Sequence, residues 1–161
     1  MNVMKVRSAT PDDIPELVRL REILGERMSA DSGGYPAHDG WQDAYARSLR
    51  DRLGAPDVAV FVIDRPDGAG LAACGMGFIY ERFPGPVLPD GRFGYVLGMT
   101  TDPAYRRRGY GRAILDALLA WYRANGVRRV DLHATSDGEP LYREFGFTAH
   151  YPGLTWVDPS A

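Results

Sequence analysis

Between Asp102 and Arg112 the chain reads Asp-Pro-Ala-Tyr-Arg-Arg-Arg-Gly-Tyr-Gly-Arg, so Arg106, Arg107, Arg108 and Arg112 crowd around Gly109 and Gly111. Four guanidiniums at such spacing suit an anion, and the flanking residues say which part of the chain would hold it. Upstream, Phe93 to Thr101 is apolar, β-branched and aromatic, as in a strand, and it stops at the turn pair Asp102-Pro103. Downstream, Ile114, Leu115, Leu118, Leu119 and Tyr122 recur on one helix face. A helix start carries N–H groups with no partner inside the helix, together with the positive end of the peptide dipoles. Two glycines there let a ligand approach the backbone, so this turn is built for a phosphate or pyrophosphate.

Three phosphate-binding patterns can be compared with these residues. A nucleotide-triphosphate loop needs Gly-Lys-Ser/Thr, whereas Gly111 is followed by Arg112-Ala113. A dinucleotide fold finds Gly109-Tyr110-Gly111 and, twenty positions past Gly111, Asp131; its third glycine position, however, is Ile114, too bulky for close helix–strand packing. That motif also begins too late in the chain to leave room for a second nucleotide-binding half. The third pattern fits: Arg106-x-x-Gly109-x-Gly111 matches Arg/Gln-x-x-Gly-x-Gly/Ala, the coenzyme A pyrophosphate signature of the GNAT acetyltransferase superfamily. A strand over Val127 to Ala134 follows the helix. Then comes Leu141-Tyr142-Arg143-Glu144-Phe145-Gly146-Phe147, which resembles that family's Leu-Tyr-x-x-x-Gly-Phe. The resemblance is densest from Tyr95 to Phe147.

The resemblance implies acetyl-CoA as acyl donor and a site made mostly of backbone. The pyrophosphate would rest on N–H groups around Arg107, Arg108, Gly109, Tyr110, Gly111 and Arg112, with Arg106 bracing the loop. Met99, Thr100 and Thr101 would pair with the pantetheine arm as an added strand does, and the Met99 N–H would face the thioester carbonyl, where charge develops. Tyr142 would protonate the departing sulfur as a general acid. Seven positions before that tyrosine, where many members have asparagine, this chain has Thr135. A hydroxyl cannot supply an amide's combined donor and acceptor, and contact with the arm falls to Thr135 or Ser136. For the base that takes the amine proton, the strand Tyr95 to Thr101 offers no carboxylate. Glu81, His133, Tyr95 and a water relay all stand as candidates. Each of these residues also has an ordinary structural reading, Tyr142 as an aromatic anchor beside Phe145 and Phe147, His133 as a strand histidine, and the arginines as a solvated turn.

Composition narrows the classes. At 161 residues, with 45% hydrophobic and 25% charged residues, the chain suits one folded domain over residues 1–161 with one substantial core. A formal charge of -2, with Arg128-Arg129 as the only other basic doublet in this half of the chain, argues against a nucleic-acid or anionic-membrane partner. Cys74 is the single cysteine and lies in a small, apolar strand, which fits a buried inert thiol and excludes an internal disulfide. The histidines His38, His133 and His150 show no ligand spacing, and amide formation from a thioester needs no metal. No apolar run reaches membrane length and Met1 to Arg7 lacks a secretion core, so a cytoplasmic protein is expected.

The pattern along the chain reads as strand Val3–Ala9, then a helix begun by Thr10-Pro11-Asp12-Asp13 and striped by Ile14, Leu17, Leu20 and Leu24. A glycine-rich break precedes a helix over Trp41 to Leu53. Strands over Val58–Ile63 and Gly70–Tyr80 form a hairpin, and a Pro-rich connection beyond Phe83 leads to the strand over Phe93–Thr101. The last helix is followed by a strand over His150–Val157. The expected fold is therefore α/β (α+β), a mixed, mostly antiparallel sheet flanked by helices in the order β-α-α-β-β-β-α-β-α-β. That order resembles the GNAT fold, whose strands splay around the thioester arm. The expected function is acetyl transfer to the primary amine of a small molecule or peptide; the alternative is a non-catalytic coenzyme A sensor of the same fold. Tyr35, Trp41, Phe83 and Tyr95, with His38-Asp39, are candidates to border the acceptor pocket, and the resemblance admits a homodimer.

Overall fold

The computed structural model describes residues 4–33 and 36–160. Tyr35 and the start of the first expected strand, Val3, lie outside them. The elements are β1 (Val6–Ser8), α1 (Ile14–Ser32), α2 (Trp41–Arg52), β2 (Val58–Asp64), β3 (Leu71–Glu81), β4 (Arg92–Thr101), α3 (Tyr110–Ala124), β5 (Val130–Leu132) and α4 (Glu139–Glu144). The strands form one sheet in the order β1-β2-β3-β4-β5. Neighbours are antiparallel except for β4 and β5, which run parallel over only three residue pairs, Gly94 to Val96 against Val130 to Leu132.

Both faces of the sheet are covered. On one, α1 and α2 bring Ile14, Leu17, Leu20 and Leu49 onto Val60, Val62, Cys74 and Met76. On the other, Ile114, Leu118 and Tyr122 of α3 pack on Ala59, Ala73, Ile79 and Val96. Alternation along β2, with Val60 and Val62 on one side and Ala59 and Ile63 on the other, is what a strand buried on both faces requires. The helix α3 lies very close to the sheet, because a Cβ on Gly94 would stand 2.4 Å from the Tyr122 ring. Tyr122 is 1% exposed, and its hydroxyl donates to the Tyr95 carbonyl (2.8 Å) and accepts from the Phe78 N–H (3.1 Å). One phenol thus ties β3 and β4 to the helix that follows the arginine turn.

The start of α1 is built as expected: a 3-10 turn over Pro11–Asp13 runs into the helix, and Asp13 accepts from the Thr10 N–H and from both Arg7 amino groups, each at 2.8 Å. Cys74 is buried, and burial pushes its thiol up to about 12.

Two expectations need correction. The strand over Val127–Ala134 shrinks to Val130–Leu132, because β5 has β4 as its one neighbour and β4 departs after Val96. The strand over His150–Val157 does not form. Pro152 removes a ladder donor in its middle, and Leu154 and Trp156 are 96% and 80% exposed, so that segment's apolar residues have no core to face. The order ends at α4. No helix among the described residues is long and apolar enough to cross a membrane.

Candidate functional site

The site begins with a bulge. Met76 of β3 pairs with Leu97 and Cys74 with Thr100, so a single Gly75 faces both Gly98 and Met99. Gly98 has φ of 67°, a left-handed conformation that glycine adopts without strain. The bulge bends β4 where its pairing with β5 ends, and among the described residues no strand lies beside the β4 edge beyond Val96 that faced β5. An extended ligand backbone can pair with that edge as a strand would.

The same strand delivers the chain into the arginine turn. Asp102, 6% exposed, accepts from the Ala104 N–H (2.9 Å), Arg19 of α1 (2.6 Å) and Arg65 of the β2–β3 turn (3.1 Å). Arg106 Nε donates to the Thr101 carbonyl at 3.3 Å. Arg108 stacks on Tyr105, its guanidinium carbon 5.2 Å from the ring centroid, while Arg112 pairs with Glu144 of α4. Arg107 and Gly109 both have positive φ, 62° and 84°, which turns consecutive N–H groups to one side ahead of α3. Among the described residues, no N–H from Arg107 to Arg112 has a hydrogen-bond acceptor; the ladder resumes only where the Ala113 N–H donates to the Gly109 carbonyl (3.1 Å). Arg107, Arg108, Gly109 and Arg112 are exposed, so these donors stand open at the helix start, where the dipole is positive. The run fits an anion, and the pyrophosphate of a coenzyme A donor matches it in charge and in its many acceptor oxygens.

Two cavities meet beside the bulge. One, of about 560 Å³, runs along Met99, Thr100 and Thr101 to the turn at Arg106, Arg107, Gly109, Tyr110, Gly111 and Arg112. The other, of about 530 Å³, lies between α1, α2 and the mouth of the β4–β5 splay, against Tyr45, Met76, Phe78, Tyr95 and His133. Four residues line both: Leu24, Met99, Thr135 and Tyr142. Tyr142, on α4, packs its ring edge-on to Phe147 with 5.9 Å between centroids, and burial pushes its hydroxyl up to about 12. A phenol so placed keeps its proton at neutral pH, as a general acid must. Thr135 Oγ1 accepts from the Gly138 N–H (3.3 Å), which turns the chain into α4.

His133 follows β5, and the Tyr95 hydroxyl hydrogen-bonds its Nδ1. Both residues also line a third cavity of about 620 Å³ on the outer side of β5, so this pair connects the splay mouth with open solvent. Burial, then Asp131 and Tyr80, raise the Tyr95 hydroxyl above its ordinary value. Glu81 is not brought to this junction. It is exposed and pairs across the hairpin with Arg92, seven residues before Met99, roughly 20 Å away along β4. Phe83 is 97% exposed at that same remote end, where the Arg82 N–H bonds the Gly91 carbonyl, so the Pro-rich connection borders neither cavity. Trp41 packs on Tyr45 instead of lining the second cavity.

The sequence reading missed the contribution of α1. Leu24 and Arg27 line the first cavity, and Arg27 pairs with Asp137 of the β5–α4 loop. Asp31 accepts from both the N–H and the hydroxyl of Ser136, each at 2.9 Å, so Ser136 is committed to α1. The available signal was the polar flank of the α1 stripe, at Arg27 and Asp31.

Known proteins resemble this chain in sequence and in fold. The chain spans about a third and about a half of the length of two curated relatives it matches. The mycothiol acetyltransferase of Clavibacter michiganensis is 35% identical over 119 residues, 71% of this chain and 31% of that protein. That of Segniliparus rotundus is 27% identical over 152 residues, 91% of this chain and 52% of that protein. Among solved structures, an acetyltransferase from Clostridium acetobutylicum crystallised with acetyl-CoA superposes with a TM-score of 0.80 at 24% identity, covering 96% of both chains. A GCN5-related N-acetyltransferase from Ralstonia eutropha reaches 0.77 at 25% identity, covering 96% of this chain and 99% of that one. Residues 17–147, from α1 through the Gly-Phe pair that closes α4, match the Acetyltransferase (GNAT) family, and the chain belongs to that family.

Proposed function

We propose that this protein moves an acetyl group from acetyl-CoA to a primary amine, by direct transfer while donor and acceptor are bound together. The observation that carries the reading is the junction, where Met99 and Tyr142 line both the cavity leading from the phosphate-like turn and the cavity open to an acceptor. Acetyl-CoA supplies an activated acetyl thioester; the chain's part is to place it and to manage charge and protons. The N–H groups of Arg107 to Arg112 hold the pyrophosphate, and the open edge at Met99, Thr100 and Thr101 aligns the arm. The Met99 N–H donates to the acetyl carbonyl oxygen as it gains charge, a donor already fixed in a bulge before reaction. Tyr142 gives its proton to the departing sulfur. The acceptor amine loses its proton to the Tyr95 hydroxyl while Tyr95 passes its own to Nδ1 of His133, whose ring reaches the outer cavity and can discharge there. Position favours this pair over Glu81 as base.

Release of free coenzyme A thiol, followed with a thiol reagent across a panel of primary amines, tests the reading. Amine-dependent release is expected; coenzyme A binding without release from any amine would instead support the sensor function.

A further inference from the structure

The second cavity holds a cation that the transfer itself does not use. Arg21, Leu24 and Met28 lie on one face of α1, spaced three and four residues apart, and all three line that cavity. The other arginines farther along this helix face or beside it are neutralised, Arg19 by Glu16 and Asp102 and Arg27 by Asp137. No described carboxylate lies within ion-pair distance of Arg21. The one carboxylate lining the cavity, Asp31, is already engaged by two hydrogen bonds from Ser136, which hold it below the usual carboxylate range. The Arg21 guanidinium carbon instead stands 6.0 Å from the Trp41 ring centroid, a contact that steadies the side chain and leaves its donors free for another group. Burial raises the Tyr45 hydroxyl and Arg21 opposes that rise, so the charge is felt inside the cavity.

Arg21 is the one arginine or lysine lining this cavity and no described carboxylate pairs with it, while the Asp31 carboxylate on the same lining is held by Ser136. Such a cation selects on charge. We infer that the acceptor carries a second group besides its amine, a carboxylate or a phosphate, and that Arg21 binds it. This rests on the acetyl-transfer reading. The guanidinium fork matches either oxyanion with two parallel hydrogen bonds, whereas a neutral amide or alcohol would leave it without its counter-charge. Arg21 then determines which amines are accepted, and the anion fixes the acceptor so that its amine points toward Met99 and Tyr142.

The experiment compares matched amines by kcat/KM for thiol release. Glycine and the L-amino acids other than proline and cysteine are set against their carboxamides, and three amino alcohols against their O-phosphates. At least one anionic member is expected to exceed its neutral partner by about 10- to 100-fold, mainly through KM. Arg21→Gln should bring that ratio to within about threefold of unity, and Arg21→Lys, which keeps the charge without the fork, should recover part of it. The carboxylate and phosphate arms separate the two anion types. Turnover with no preference for any anionic member, or a preference that survives in Arg21→Gln, would overturn the inference and leave the transfer reading standing. Absence of release from every amine, with acetyl-CoA bound, would defeat both.

Discussion

Placing an aspartate at Gly111 separates the helix from its ligand. Gly111 is the second residue of α3, and its N–H has no acceptor among the described residues. A Cβ there would stand 3.3 Å from Leu141 Cδ2, tight contact with a terminal methyl that can shift by a few tenths of an ångström. For the fold, a carboxylate in the first turn is favourable, worth about 0.3–1 kcal/mol against the helix dipole. For a pyrophosphate held on the same N–H groups it is repulsive. At about 5 Å and an effective dielectric constant of about 20, one pair of charges costs about 3 kcal/mol, a loss of roughly a hundredfold in affinity. Gly111→Asn carries nearly the same shape without the charge and isolates the steric share. Calorimetric titration with coenzyme A at low salt, beside thermal melting, reads both quantities. Gly111→Asp should melt no lower than Gly111→Asn and bind coenzyme A far more weakly. A folded Gly111→Asp protein that binds within threefold of wild type would refute the placement, and equal losses in both variants would refute the electrostatic cause.

Other outcomes follow from the same contacts. Tyr142→Phe keeps the ring against Phe147 but removes the proton, so turnover should fall by about 100-fold with little change in coenzyme A affinity. In the wild type, Tyr142 should cause no alkaline loss of rate until the pH approaches its raised value of about 12. Tyr122→Phe removes the hydroxyl that donates to the Tyr95 carbonyl and accepts from the Phe78 N–H, and should cost about 1–3 kcal/mol in urea unfolding. Acid should also unfold the protein in a defined window. Arg7 holds Asp13, and Arg19 holds Glu16, below the ordinary 3.8 and 4.5. Unfolded chains therefore take up protons first as the pH falls, and the stabilisation present above those ordinary values is lost progressively below them; unfolding at pH 7 and pH 3 compares the two ends.

What could be read from residues alone was what is local. The arginine turn and α3 were legible because a strand, two glycines and an amphipathic face succeed one another within thirty residues, and each signal constrains the next. The bulge carried a weaker sign, an isolated Gly98 within a strand pattern. Its consequence, the departure of β4 from β5, depends on a partner strand more than thirty residues away, and this is also why the strand expected to Ala134 ends at Leu132. The tail misled because Tyr151, Leu154, Trp156 and Val157 look like strand residues, although Pro152 and Gly153 interrupt them and no core receives them. Glu81 was attractive as a carboxylate at a strand end, but sequence does not say which end of the hairpin faces the splay. Arg21, Arg27 and Asp31 went unnoticed because helical periodicity identifies the buried stripe and is silent on what its polar flank meets. For Asp31 that partner is Ser136, 105 residues away.

A crystal structure with coenzyme A bound tests the central claim most directly. The account expects the pyrophosphate oxygens within hydrogen-bond distance of the N–H groups between Arg107 and Arg112, and the thiol between Met99 and Tyr142. Coenzyme A bound elsewhere, or an arm that never enters the gap between β4 and β5, would contradict it.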